Sequence, residues 1–243
     1  MLEGLYSAAS GMEAQQDRLD AISNDIANVN TPGYQSERVG FEDLLYSAAS
    51  PTQSSGVSVG AGTQAVDLGP SQASGSVQQT GQPLDLAING NAYFEVKQAD
   101  GSTALTLNGQ FQLDSKGQLT TGSGMIVQPP ITLPAGTAAS DITIGSDGTV
   151  SVGNKSYGKI ALVTVPAAEQ LTPGGNGLLI PSSASGSPKA ATGASVVQGS
   201  LNSSDVNIAT AMTDMMDAQQ TYSLASKAMD IEQQMMQTAD QLR

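Results

Sequence analysis

The chain contains no cysteine, no histidine and no tryptophan. Without cysteine there is neither a disulfide framework nor a thiolate metal site. Without histidine the commonest general base and zinc ligand is missing, so hydrolases built on Ser-His-Asp or Cys-His arrangements are excluded. Aromatics make up 4%, three Phe and six Tyr, and a core built on large rings is not expected. Charged residues are 13%, about half the usual share of ~25%. Positive charge is the scarcer sign: nine Lys and Arg stand against 22 Asp and Glu, giving a net charge of −13 and a pI near 4.1. Such a field repels phosphate backbones and anionic bilayer surfaces, which argues against nucleic-acid and membrane partners. No run approaches the ~18 apolar residues that span a bilayer, so no membrane insertion is expected. The opening MLEGLYSAASGMEAQQDRLD lacks the basic region and apolar stretch of a cleaved signal peptide. The expectation is a cytosolic protein, or one exported by a route that cleaves nothing.

What is abundant is small and flexible. The 243 residues fit one large domain or two modest ones, and glycine (27 residues) exceeds its usual ~7%. Such a composition suits many short strands and turns better than a dense α/β enzyme core.

The two ends differ from the middle. Residues 2–29 read as one helix with a seven-residue repeat: Leu5, Met12, Leu19 and Ile26 form one series, and Ala8, Gln15, Ile22 and Val29 a second. Apolar positions sustained over about four heptads make a coiled-coil seam. Thr31-Pro32-Gly33 stops the helix, because Pro32 forces Thr31 out of helical geometry. At the other end Ser203, Ser204 and Asp205 offer N-cap side chains, and no Pro or Gly follows. Ile208, Met215, Tyr222, Met229 and Met236 lie seven apart, with Ala211, Ala218, Ala225, Glu232 and Ala239 as the companion series. A further stripe of Met212, Leu224, Ala228, Ile231 and Met235 makes this helix apolar on more than one face. Methionine surfaces of this kind bind partners, and the stripe is read as buried between subunits.

Between the helices, residues 46–83 are rich in Ser, Gly and Gln and read as an extended connector. From 84 to 199 come short β-like runs, LDLAI, AYFEV, TALTL, GQFQLD, DITI, TVSV and KIALVTV, punctuated by Asp100-Gly101 and Asp147-Gly148 turns. The expected fold class is α+β: a discontinuous coiled-coil domain from the N- and C-terminal helices (1–45 and 200–243), with an inserted all-β domain at 84–199. Bringing the two ends together makes one domain of both termini.

Chemistry is hard to find. Gly153 to Lys159 matches the GxxxxGK phosphate loop, but Ile160 stands where a Ser or Thr must hold magnesium, and a strand-like ALVTV follows instead of a helix. A hairpin turn is the better reading. Asp85, Glu95, Asp100 and Asp114 lie in the β region without the spacing of a glycosidase pair. No catalytic, cofactor-binding or metal residue is assigned.

At residues 23–34 the chain reads SNDIANVNTPGY, which resembles the N-terminal signature of flagellar basal-body rod and hook proteins. The matching positions are Asn24, Ile26, Ala27, Asn28, Thr31, Gly33 and Tyr34. FEDLLY at 41–46 is similar to the segment after the first helix in distal-rod members. DLAINGNAYFEV at 85–96, LTLNGQFQLDSKGQLTTGSGMIVQP at 105–129, ITIGSDGTVSV at 142–152, GSLNSSDVN at 199–207 and AQQTYSLASKAM at 218–229 resemble further family blocks, in the family's order. Departures are Asp25 for a frequent Asn, Leu107 and Gln220 for Arg, and Ser226 for Asn.

The resemblance implies a structural axial subunit, not an enzyme. Its terminal helices would line a hollow helical tube, with the β domain outside, and it would transmit torque. The implied partners are copies of itself, other rod proteins, hook protein, the flagellar type III export apparatus and surrounding ring proteins. Leu5, Met12, Leu19, Ile22, Ile26, Ile208, Met215, Tyr222, Met229 and Met236 are the expected assembly residues. The FEDLLY segment and SSGVSVGAGTQAV at 54–66 favour the distal rod; a proximal-rod paralogue or hook-like protein is the near alternative. A peptidoglycan-acting enzyme and a non-flagellar surface adhesin are the alternatives of other classes.

Overall fold

The computed structural model describes residues 2–44, 46–48, 58–98, 100–134 and 136–241. Leu45 of FEDLLY, residues 49–57 of the connector (with them the start of the 54–66 stretch) and the side chain of Ala239 lie outside the described residues. The architecture is α+β: a helix at each end, α1 (Leu2–Ala27) and α2 (Ile208–Gln241), and short strands between. The chain divides into two compact units. One gathers residues 1–27, 37–68 and 207–243; the other, residues 28–36 and 69–206.

In the helical unit α1 and α2 pack together and run antiparallel, because Gly4 meets Glu232 near one end and Arg18 meets Asp214 further along. Strand Glu37–Asp43 pairs with Thr63–Pro70, and Tyr46–Ala48 with Ser58–Gly60, placing Ser47 opposite Val59. Within the stretch read as a connector, the described strands Tyr46–Ala48, Ser58–Gly60 and Thr63–Pro70 are paired in β ribbons, and Val77–Gln79 pairs with Ser200–Asn202. The sequence places the α2 cap at Ser203–Asp205; the structure corrects this to Asn207, whose Oδ1 accepts the N–H groups of Ala209 (3.0 Å) and Thr210 (3.3 Å). Asp205 is engaged elsewhere, its carboxylate accepting the Ser36 N–H at 2.8 Å and the Ser36 hydroxyl at 3.1 Å.

The β unit has a closed core. Its largest sheet runs Thr172–Gly175, Leu178–Ile180, Thr103–Thr106, Tyr93–Lys97, Ile126–Val127, Leu119–Thr121, Phe111–Leu113, with Leu162–Thr164 also pairing with Tyr93–Lys97. The central Tyr93–Lys97 strand buries Tyr93, Phe94 and Val96, as a strand covered on both faces should. Phe94 meets Phe111 edge-to-face, ring centroids 5.0 Å apart. A three-stranded meander, Ile142–Ile144, Thr149–Val152 and Lys155–Lys159, sets Ile142 opposite Val152 and Ile144 opposite Val150. The GxxxxGK string lies in this meander, and Gly153-Asn154 is its hairpin turn, since Val152 pairs with Lys155. The Asp147-Gly148 turn has Gly148 at φ +86°, a conformation that glycine adopts without a Cβ penalty.

Two amides tie the β unit across its sheets. Asn202, 1% exposed, accepts the Ile88 N–H at 2.8 Å and donates to the Ile88 carbonyl at 3.0 Å, as a strand neighbour would. Gln198 donates to the carbonyls of Pro83 and Ile142 (both 2.8 Å) and accepts from the Ile144 N–H at 3.0 Å. By using both ends, the buried Asn202 and the half-buried Gln198 avoid the penalty of an unsatisfied polar group.

Candidate functional site

Two features carry the candidate function, the helical seam and the signature turn. Along α1 the seam side chains Leu5, Met12, Leu19, Ile22 and Ile26 are half-buried. Along α2, Met215, Met229 and Met236 are half-buried, while Ile208 (46%) and Tyr222 (38%) are exposed. The most buried apolar side chains of the two helices are small, Ala14 on α1 and Ala218 on α2, 1% and 0% exposed. Pairing inside one chain therefore covers the seam only in part. The second apolar stripe is uncovered: Met212, Leu224, Ile231 and Met235 are all more than half exposed. Met216, at 55%, joins them. The sequence reading missed it, although it follows Met212 at the four-residue spacing of one helix face.

A single ion pair ties the helices among the described residues. Arg18 donates to the Asp214 carboxylate at 3.5 Å, with both side chains partly exposed. The seven-residue pattern does not reveal this pair, because both residues lie outside the apolar series.

The signature residues divide between two tasks. Ile26 helps pack the seam, while Asn24 and Ala27 are exposed at the end of α1. Asp25, where the family often has Asn, is 8% exposed, and its carboxylate accepts the Glu37 N–H at 3.2 Å. A carboxylate oxygen accepts there as an amide oxygen would. From Asn28 onward the signature is a turn: the Thr31 N–H donates to the Asn28 carbonyl (3.0 Å), its hydroxyl to the Asn28 side chain (3.2 Å), and the Tyr34 N–H to the Thr31 carbonyl (3.2 Å). Gly33 has φ +69° and donates to the Asn202 carbonyl at 2.8 Å. A Cβ at Gly33 would meet the backbone of Leu107 and Asn108 at 2.5 and 2.6 Å, so this position requires glycine. Tyr34 returns a carbonyl to the Asp205 N–H at 3.2 Å. The signature thus ends the helix and ties residues 28–36 into the β unit.

The acidic residues have architectural tasks. Asp114 accepts the N–H groups of Lys116 and Gln118, and Asp85 accepts the Thr80 hydroxyl. Asp100 and Asp147 bind hydroxyl and amide of Ser102 and Thr149, which hold both carboxyls below the ordinary range. In the helical unit an open cleft of about 430 Å³ is lined by Asp17, Asp20, Glu37 and Asp67 among others. Burial first, then Asp67 and Asp25, push the Glu37 carboxyl above its ordinary value. Among the described residues no group of three or more His, Cys, Asp or Glu is placed to hold a metal ion. No described helix is long and apolar enough to cross a membrane.

A chain with paired terminal helices, an exposed second apolar stripe and an inserted β unit has the form of a structural assembly subunit. Three family models match it in order: the flagella basal body rod protein model over residues 5–35, the flagellar hook protein FlgE/F/G D1 domain over 87–152, and the flagellar basal body rod FlgEFG protein C-terminal model over 197–242. It is 36% identical to the flagellar basal-body rod protein FlgG of Bacillus subtilis over 98% of this chain and 97% of that one. The FlgG proteins of Caulobacter vibrioides and Buchnera aphidicola (the Acyrthosiphon pisum strain) are 35% and 34% identical, each over the full length of both chains. The chain belongs to the flagellar basal-body rod protein family, a family of structural proteins located in the flagellar basal body.

Proposed function

We propose that the chain is the repeating subunit of the distal rod, a hollow helical tube that passes motor torque to the hook. The observation that carries this is the uncovered face of α2, with Met212, Met216, Leu224, Ile231 and Met235 each more than half exposed. A row of large apolar side chains in water is unfavourable by roughly 25 cal/mol per Å² of area that could be buried, and neighbouring subunits would cover it. Copies of the same chain are its first partners, and rod and hook proteins adjoin the ends of the stack. Shaft mechanics calls for wide, repeated packing and needs no turnover site. The parts supply it: apolar helices to pack, a β unit with a closed core of its own, and no assigned catalytic group. Export through the flagellar type III apparatus delivers the subunits to the growing end.

The test is Leu224→Asp in a motile strain that lacks the wild-type copy. The variant places a charge on the docking face while leaving the monomer's own seam intact. Helical and β circular dichroism of the purified monomer should match the wild type, while basal bodies lack the distal rod and cells do not swim. Wild-type swimming, or a label on this protein found only at the proximal end of isolated basal bodies, would overturn the reading.

A further inference from the structure

The exposed stripe of α2 is not wholly apolar. Lys227 follows Leu224 by three residues and precedes Ile231 by four, so it stands among the stripe side chains, on the face that α2 turns away from its seam. It is the one basic residue of α2, it is exposed, and it makes no ion pair among the described residues, not even with Asp230 three positions on. Covering the stripe takes this ammonium out of water along with Leu224 and Ile231, which is costly unless a carboxylate meets it. The complement lies on α1. Asp17, Asp20 and Asn24 share the face that α1 turns away from Leu5, Met12, Leu19 and Ile26. With Glu37 and Asp67 of the ribbon strands they line the open cleft of the helical unit, which four carboxylates face and no Lys or Arg lines. Ala21, Val39 and Val66 give it apolar wall, as the methylene stem of a lysine requires. Burial, with Asp67 and Asp25 nearby, holds the Glu37 carboxyl above its ordinary value, the direction expected where negative charge outweighs positive.

We propose that Lys227 of one copy enters the cleft of Asp17, Asp20, Glu37 and Asp67 on the next copy, and so decides which surfaces of neighbouring subunits meet. The inference rests on the reading that the stripe packs against further copies of this chain. Two other cations of the helical unit are already engaged: Arg18 pairs with Asp214, and Arg38 donates to the Leu68 carbonyl at 3.1 Å. Stripe and cleft are different surfaces of one chain, so the contact is head-to-tail and every added copy offers a fresh cleft. They are also out of step. Arg18, between Asp17 and Asp20, faces Asp214, and Lys227 comes 13 residues later on α2, about 20 Å further along the axis. Copies joined in this way are displaced along their helices, and a displaced contact extends into a helical stack instead of closing into a dimer. The pairing belongs to assembled subunits and asks nothing of the terminal helices before assembly.

The experiment is carbodiimide coupling of isolated wild-type basal bodies, which needs no substitution and joins a lysine to a carboxylate only where the two touch. Mass spectrometry of the cross-linked dimer should find Lys227 joined to Asp17, Asp20, Glu37 or Asp67. In cells, Lys227→Glu should abolish the distal rod and swimming, and Lys227→Arg should retain both. Adding Asp17→Lys and Asp20→Lys to the Lys227→Glu strain reverses the cleft as well and should restore rods. A dimer joined only through other lysines, normal swimming by the Lys227→Glu strain, or no rescue by the reversed cleft overturns the pairing and leaves self-assembly standing. Absence of any cross-linked dimer, together with absence of this chain from labelled rods, overturns the self-assembly reading and the pairing with it.

Discussion

The two units of this chain solve the burial problem in opposite ways. The β unit closes on itself: Phe94, Leu86, Leu105, Val96, Val150 and Ile160 are fully buried, and the Asn202 and Gln198 amides are satisfied at both ends. In the helical unit, among the described residues, the fully buried apolar side chains of α1 and α2 are Ala14 and Ala218. Its large apolar residues are half-buried or exposed in the seam, as Ile208 and Tyr222 are, or exposed on the second stripe. A sheet core can be completed within one chain because strands from distant segments cover both faces. Two lone helices cover one stripe each, and an apolar residue on any other face must wait for a neighbour. The β unit should therefore govern the folding of the monomer, and the helical unit its assembly.

The sharpest way to separate the units is to damage the first. Phe94→Ala removes a fully buried ring that packs on Phe111 and should cost about 3–5 kcal/mol. Urea denaturation followed through the β signal should show the midpoint fall accordingly. A loss below about 1 kcal/mol would mean that the core is looser than its burial indicates.

Gly33→Ala tests the signature turn. The left-handed backbone alone disfavours a side chain by roughly 1–2 kcal/mol, and here the Cβ would also press on main-chain atoms of Leu107 and Asn108. The same denaturation assay should register a smaller loss than Phe94→Ala. Amide shifts of residues 28–36 should move most. Unchanged stability would detach the signature from the β unit.

The smallest effect is electrostatic and falls on the helical unit. Burial, with Asp67 and Asp25 nearby, raises the folded Glu37 carboxyl above its ordinary 4.5. Between that ordinary value and the raised one, the folded chain holds more protons than the unfolded chain. The contribution of Glu37 is thus fully present below the ordinary value and is lost as pH rises through the folded one. Glu37→Gln should make the helical midpoint higher than wild type at neutral pH and remove this part of the pH slope. A lower midpoint at neutral pH would reverse the sign.

Much of this comparison was legible in the sequence, because each unit has its own period. Heptads placed both helices, short β-like runs and Asp-Gly turns placed seven of the twenty described strands, and the order of the motifs named the family. KIALVTV reads as one run, but its Lys159 closes the strand Lys155–Lys159, and a second strand, Leu162–Thr164, begins after Ile160 and Ala161. No local pattern marks the break, because the second piece leaves the meander for the large sheet. The cap at Asn207 was hidden for a related reason. Three good caps precede it, and only the distant demand of Ser36 on Asp205 decides among them. The Asn202–Ile88 pair, 114 residues apart, and the seat of Glu232 on Gly4 depend wholly on tertiary proximity. Period predicts faces; it does not predict which polar atom meets which across the fold.

Methionine oxidation tests the central claim most directly, since the probes are already in place. Met212, Met216 and Met235 lie on the exposed stripe of α2, while Met12, Met215 and Met229 are half-buried in the seam. Exposed thioethers oxidise faster with peroxide, and the positions can be read by mass spectrometry. In the monomer the three stripe methionines should oxidise well ahead of the three in the seam. In isolated rods that order should vanish, with Met212, Met216 and Met235 protected to at least the level of the seam. Stripe methionines that oxidise equally fast in monomer and rod would contradict the account, because the face left open by the single chain would then not be the face that builds the rod.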